Sequence, residues 1–361
     1  QAMEDASNVD LSLFRRWYSQ SGTPLLTVRD EYDAEHHQYR LHVSQKTAPT
    51  ADQPEKLPLH IPLDIELYDA QGNVIALQRN GSPINNVLNV TEAEQTFVFD
   101  GVAHKPVPSL LREFSAPVKL DYPYSDQQLT FLMQHARNEF ARWDAAQSLL
   151  ATYIKLNVAK HQQQQPLSLP LHVVDAFRAV LLDEKLDPAL AAQILTLPSE
   201  SEIAELFATI DPEAIAVVHE AIVRCLAKEM ADEWLAVYHA NKTDGYRVEH
   251  ADIAKRALRN VCLGYLAFGD EALADRLVTE QYRQADNMTD SLAALAAAVA
   301  AQLPCRDALL AAFDERWHQD GLVMDKWFVL QATSPAADVL TKVRGLLKHR
   351  SFSLSNPNRT R

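Results

Sequence analysis

Glycine is scarce in this chain: nine residues in 361, where ordinary usage of ~7% would supply about 25. Chemistry built on glycine-rich phosphate loops therefore has almost no material to work with. Cysteine is scarcer still. Cys225, Cys262 and Cys305 are far apart, none falls in a C-x-x-C, and each is set among Ala, Leu and Val. That pattern excludes a disulfide scaffold and leads us to expect a reducing compartment, with each thiol a small apolar core residue. Positive charge is also short, 34 Lys and Arg against 48 Asp and Glu for a net −14. The resulting field repels phosphate backbones and no Lys/Arg-rich block overrides it, so no nucleic-acid partner is expected. No apolar run reaches the ~18 residues of a membrane span, and the first thirty residues lack the apolar stretch of a signal peptide. These absences predict no transmembrane segment and a cytoplasmic location, with a peripheral position at the inner membrane left open.

What is present is an ordinary globular composition, 47% hydrophobic and 23% charged, long enough for two or three domains. Leu11, Phe14, Trp17 and Tyr18 recur at helical spacing behind Asp10, which predicts an amphipathic helix over 10–21 ended by Gly22 and Pro24. From about 25 to 122 the period is two. Tyr39, Leu41 and Val43 alternate with polar neighbours, as do Ile61, Leu63, Ile65 and Leu67, and short strands are expected at 74–77, 87–90, 95–102 and 109–120. About seven short strands in ~100 residues predict a small antiparallel β-sandwich, Ig-like in scale.

After Tyr124 helix-start signals take over. Ser125–Gln128 and Ser199–Glu202 read as capping boxes, and Asp187-Pro188, Asp211-Pro212 and Ser334-Pro335 place a capping residue before a proline at the first helical position. Apolar-periodic segments follow near 126–160, 172–183, 188–197, 201–208, 212–240, 249–267, 270–284, 288–302, 304–318, 322–332 and 336–348. Short connections predict antiparallel hairpins stacked into a HEAT-like α-helical solenoid. Leu292–Ala301 has no polar face and is expected to be closely enclosed. The domain expectation is thus 1–21 a helix, 22–124 the sandwich and 125–361 the helical array. The chain opens inside a helical pattern and stops after Asn356-Pro357-Asn358-Arg359, so it is expected to be a piece of a longer protein.

A search for reaction chemistry finds little. No two of the thirteen histidines are three or four residues apart, so no helix offers zinc an H-x-x-x-H pair. His219-Glu220 begins such a motif, but position 223 is Val, and both residues are expected on a solvated helix flank. His36, His37 and His42 are expected to be simply exposed. G-x-S-x-G is absent, and Gly81-Ser82-Pro83 has proline where an oxyanion donor is needed. Asp232-Glu233 and Asp314-Glu315 read as solvated charge, and His161–Pro166 as a polar linker. Met324, Trp327 and Phe328 are expected to be core.

Phe14-Arg15-Arg16-Trp17-Tyr18-Ser19-Gln20-Ser21-Gly22-Thr23-Pro24 resembles the F-x-x-W-x-x-Q-x-G-x-P segment that closes the catalytic domain of the gluzincin (M1) zinc aminopeptidases. Trp143–Gln147, Asn287–Asp290 and Leu322–Phe328 resemble the bacterial aminopeptidase N branch of that family, enterobacterial in type, and the resemblance runs over essentially the whole chain. It implies a four-part parent enzyme with Zn2+ held by H-E-x-x-H and a downstream Glu, and a G-A-M-E-N loop for the substrate amine. None of those motifs is here, so no catalytic and no metal-binding residue is expected in this chain, and no cofactor.

What the resemblance leaves is the noncatalytic C-terminal region of a zinc metalloaminopeptidase that releases N-terminal residues from peptides. Residues 1–21 would be the last helix of the catalytic domain, and the array would stop before the family's final helices. Its expected role is a spacer and lid over the zinc cleft, with the catalytic domain of the same chain and peptide substrates as partners. Asn358, Arg359 and Arg361 are the expected lining of the substrate channel, Arg361 meeting a peptide carboxylate through its forked donors. The alternative is an independent helical-repeat scaffold that binds peptides or proteins.

Overall fold

The computed structural model describes residues 2–360. The chain divides into two compact units, residues 1–149 and 150–361. The first begins with α1 (Ala2–Ser7) and a 3-10 turn at Phe14–Tyr18, in place of the helix expected over 10–21. Long-range bonds explain the shortening. Trp17 Nε1 donates to His60 O at 2.7 Å, Gln20 Nε2 to Leu57 O at 3.0 Å and Arg16 to Pro58 O, so the segment is laid along the 57–60 stretch. Asp10 accepts from Ser12 N at 2.9 Å, a local turn rather than a helix cap.

The strands are β1 (Pro24–Asp33), β2 (Gln38–Thr47), β3 (Ile61–Tyr68), β4 (Val74–Ile75), β5 (Gln78–Arg79), β6 (Ser82–Pro83), β7 (Val87–Val90), β8 (Glu94–Phe99), β9 (Val107–Leu110) and β10 (Lys119–Asp121). One sheet has the order β10-β1-β2-β8, the other β4-β3-β7 with β9 also paired to β3, and β5-β6 form a separate ribbon. Every pair is antiparallel except β1 with β10, which run parallel. The apolar alternation is the reason the sheets face each other: Leu26, Val28, Tyr39, Leu41 and Val43 of one sheet and Ile61, Leu63, Ile65, Leu67 and Val90 of the other share one core. The run expected as one strand over 109–120 is interrupted, because Leu111, Glu113 and Phe114 all take positive φ. Arg112, in that turn, reaches Asp64 at 3.1 Å and Glu66 at 3.4 Å, which holds the strained backbone in place.

The long helix expected over 126–160 is two helices, α2 (Asp126–His135) and α3 (Glu139–Gln162). Between them Arg137 N donates to Tyr68 Oη at 2.9 Å, and Asn138 Oδ1 caps the new helix at Ala141 N, 2.9 Å. The division between the compact units falls inside α3.

The second unit continues with α4 (Leu171–Leu181), α5 (Pro188–Leu195), α6 (Glu200–Ala204), α7 (Pro212–Glu229), α8 (Ala231–Ala240), α9 (His250–Leu266), α10 (Glu271–Gln284), α11 (Met288–Ala300), α12 (Arg306–Trp317), α13 (Gly321–Ala332), α14 (Val339–Leu346) and α15 (Pro357–Thr360). The caps are where the sequence placed them. Ser125 and Ser199 form complete capping boxes, and Asp187 and Asp211 accept from the first-turn amides ahead of Pro188 and Pro212. Ser334 accepts from Ala336 N at 3.3 Å, but regular helix starts only at Val339. The expected 212–240 helix breaks at Met230.

Packing is not confined to sequence neighbours. α9 contacts α5, α7, α8, α10 and α11, and Tyr265 Oη on α9 donates to Leu195 O on α5 at 2.6 Å. A buried polar network ties this hub to its neighbours. Tyr238 Oη donates to Gln281 Oε1 (3.1 Å), Gln281 Nε2 to Asn260 Oδ1 (2.8 Å), and Asn260 Nδ2 to Asp290 Oδ1 (3.0 Å). Asn287 caps α11 at Asp290 N, 2.9 Å. The Asn287–Asp290 stretch is therefore a structural knot, and each buried polar group in it is satisfied by another.

Candidate functional site

The residues singled out for the substrate path lie at the end of the chain. Arg361 falls outside the described residues, and Asn358 is placed by its backbone within α15. Arg359 is engaged on three sides. Its Nε donates to Asp325 Oδ1 at 2.7 Å, another guanidinium nitrogen donates to Ser351 O, and Nη2 stands over Gly321. The pair is largely enclosed, with side-chain exposures of 15% for Arg359 and 21% for Asp325.

The segment leading to Arg359 is tethered by further contacts. Ser351 Oγ donates to His318 O at 2.7 Å, and Arg350 reaches Asp314 at 3.3 Å. The His349 ring lies 5.0 Å from that of Trp327 and 5.4 Å from that of Phe328. Ser351 N donates to His349 Nδ1 at 3.1 Å, and His349 Nε2 lies 3.1 Å from Asp314 Oδ1. Sequence reading missed this arrangement because Asp314 and His349 are far apart in the chain and neither belongs to a spacing motif.

Several expectations need correction. Glu220 is solvated and pairs with Arg224 at 2.7 Å, but His219 is half-buried on α7 and lines an apolar pocket with Leu197, Val223, Val261, Tyr265 and Phe268. Desolvation holds its imidazole below the usual range. Of the cysteines only Cys262 is a core thiol, while Cys225 and Cys305 are half-buried. Leu292–Ala301 is enclosed on one side only: Ala294, Leu295, Ala297, Ala298 and Val299 are buried, while Leu292, Ala293 and Ala296 are half-buried and line an open groove of about 570 Å3 with Leu322, Val329 and Leu330. α11 and α13 each bury one stripe and leave this face uncovered. Met324, Trp327 and Phe328 are core as expected, and Trp327 Nε1 donates to Leu310 O at 2.9 Å.

Burial, then neighbouring Asp275, pushes the Cys305 thiol up to about 11, and burial raises Cys262 further, so neither supplies a thiolate. Among the described residues no three His, Cys, Asp or Glu side chains converge as metal donors. His36 pairs with Asp33 at 2.8 Å and His42 lies 3.5 Å from Glu31, both at the surface.

Comparison with known proteins places this architecture. Residues 22–123 match the family described as DUF3458, a domain of unknown function with an Ig-like fold, and residues 126–361 match DUF3458_C, described as ARM repeats. The chain belongs to this family. It is 72% identical over its whole length to aminopeptidase N of Escherichia coli, 51% to that of Haemophilus influenzae and 32%, over 99% of the chain, to that of Caulobacter vibrioides. A solved structure, Legionella pneumophila aminopeptidase A in complex with aspartic acid, superimposes with a TM-score of 0.84 at 28% identity and covers 99% of this chain and 41% of that one. The chain spans about two fifths of the curated relatives, 42%, 41% and 40% of their lengths. It corresponds to the C-terminal region of aminopeptidase N, as the Phe14–Pro24 and Leu322–Phe328 motifs implied.

Proposed function

We propose that this chain is the noncatalytic region of a cytoplasmic, M1-type zinc aminopeptidase, serving as spacer and lid for a catalytic domain in the same polypeptide. The observation that carries the reading is the pairing of whole-length similarity to aminopeptidase N with the lack of converging metal donors among the described residues. The described residues do not fit a zinc site. A zinc ion that polarises the scissile carbonyl and activates water needs three protein ligands and an open position, so its ligands belong to the rest of the longer enzyme.

The helical array would restrict that cleft to peptides, with the segment carrying Asn358, Arg359 and Arg361 beside their path. An independent peptide-binding scaffold is the second reading, and the uncovered groove between α11 and α13 favours it. Assaying residues 1–361 alone with an aminoacyl chromogenic amide and zinc tests the first reading. No turnover is expected.

A further inference from the structure

We propose that Gly321, Asp325 and the Ser351 carbonyl form a receptor for the Arg359 guanidinium, making Arg359 a positioning residue that fastens segment 347–360 to α13. The inference rests on the proposed lid role only where it concerns peptides. Three features of the receptor converge from different parts of the chain. Asp325 supplies a charge-assisted acceptor at 2.7 Å, the carbonyl of Ser351 accepts a second N–H, and Gly321 supplies room.

Gly321 opens α13, a position where glycine is a poor helix former. Its φ is not in the left-handed region, so backbone conformation does not call for glycine there. A Cβ at this position would overlap Arg359 Nη2, so a larger residue would have to displace the guanidinium from its place beside Asp325. Lysine in place of Arg359 would present a point charge and lack the planar fork that reaches two acceptors at once. The Leu322–Phe328 and Asn356–Arg359 stretches are thus two halves of one device. By occupying the receptor, Arg359 holds the backbone of α15 against α13.

The test uses the full-length polypeptide carrying Gly321→Ala, Asp325→Asn or Arg359→Lys, with hydrogen exchange read across segment 347–360 and, as a folding control, across α4–α9. Gly321→Ala favours the helix by propensity but displaces the guanidinium without removing any charge. All three variants should speed exchange in 347–360 by about tenfold, the loss of one charge-assisted bond, and leave α4–α9 unchanged. Unchanged or slower exchange in 347–360 for Gly321→Ala and Asp325→Asn would overturn the receptor. The KM for peptides relative to an aminoacyl anilide is measured on the same samples. A rise alongside faster exchange supports both the receptor and the peptide path. Faster exchange with an unchanged ratio keeps the receptor and refutes the peptide path.

Discussion

Asp144 on α3 allows a stability prediction whose sign can be worked through. The side chain is half-buried, and desolvation alone pushes its carboxyl from the usual 3.8 up to about 6. Between those values the folded chain binds more protons than the unfolded one, so stability falls as pH rises and the loss is complete above the folded-state value. A shift of about two units at ~1.4 kcal/mol per unit makes the charged carboxylate cost about 3 kcal/mol at pH 8, and roughly half that at pH 5. Asp144→Asn keeps the shape and removes the charge. It should stabilise residues 1–361 at pH 8, with an advantage over wild type that shrinks by roughly 1.5 kcal/mol on going to pH 5. The assay is urea unfolding of both proteins across pH 5–8. Parallel pH profiles, or an asparagine variant less stable at pH 8, would show that the carboxylate has a favourable partner and refute the reasoning.

Two further substitutions probe the helical unit. Trp234 is fully buried, stacks on Tyr265 at 4.3 Å and donates from Nε1 to Leu226 O at 2.9 Å; Trp234→Phe removes that bond and leaves part of the indole's volume unfilled, though Leu226 O keeps the Met230 amide at 3.2 Å, and should lower unfolding free energy by about 2 kcal/mol, whereas a loss below ~0.5 kcal/mol would mean the site relaxes around the change. Asp187 accepts from Ala189 N at 2.8 Å and from Leu190 N at 3.3 Å and pairs with His250; Asp187→Ala should cost about 1 kcal/mol as a lost N-cap, and an unshifted denaturation midpoint would contradict the capping role.

What could be read from the sequence depended on how local the cause was. Period-two alternation in Tyr39–Val43 and Ile61–Leu67 determined which side chains meet in the sandwich, and Ser125, Asp187, Ser199 and Asp211 announced helix starts through bonds to their own first turns. Long-range contacts left no such trace. The 10–21 segment looked helical until Trp17 and Arg16 found carbonyls at 60 and 58, and the helix over 126–160 was broken by the Tyr68 hydroxyl. The hub role of α9 depends on α5, 70 residues away at the Tyr265–Leu195 bond. Motif likeness pointed to Arg359, but the partners that engage it, Gly321, Asp325 and Ser351, are apparent only in three dimensions.

The most direct test of the central claim is release of amino acid from an aminoacyl chromogenic amide by residues 1–361 with zinc supplied, beside the full-length polypeptide under the same conditions. The account predicts turnover by the full-length polypeptide and none by residues 1–361. Comparable turnover by the two would contradict it.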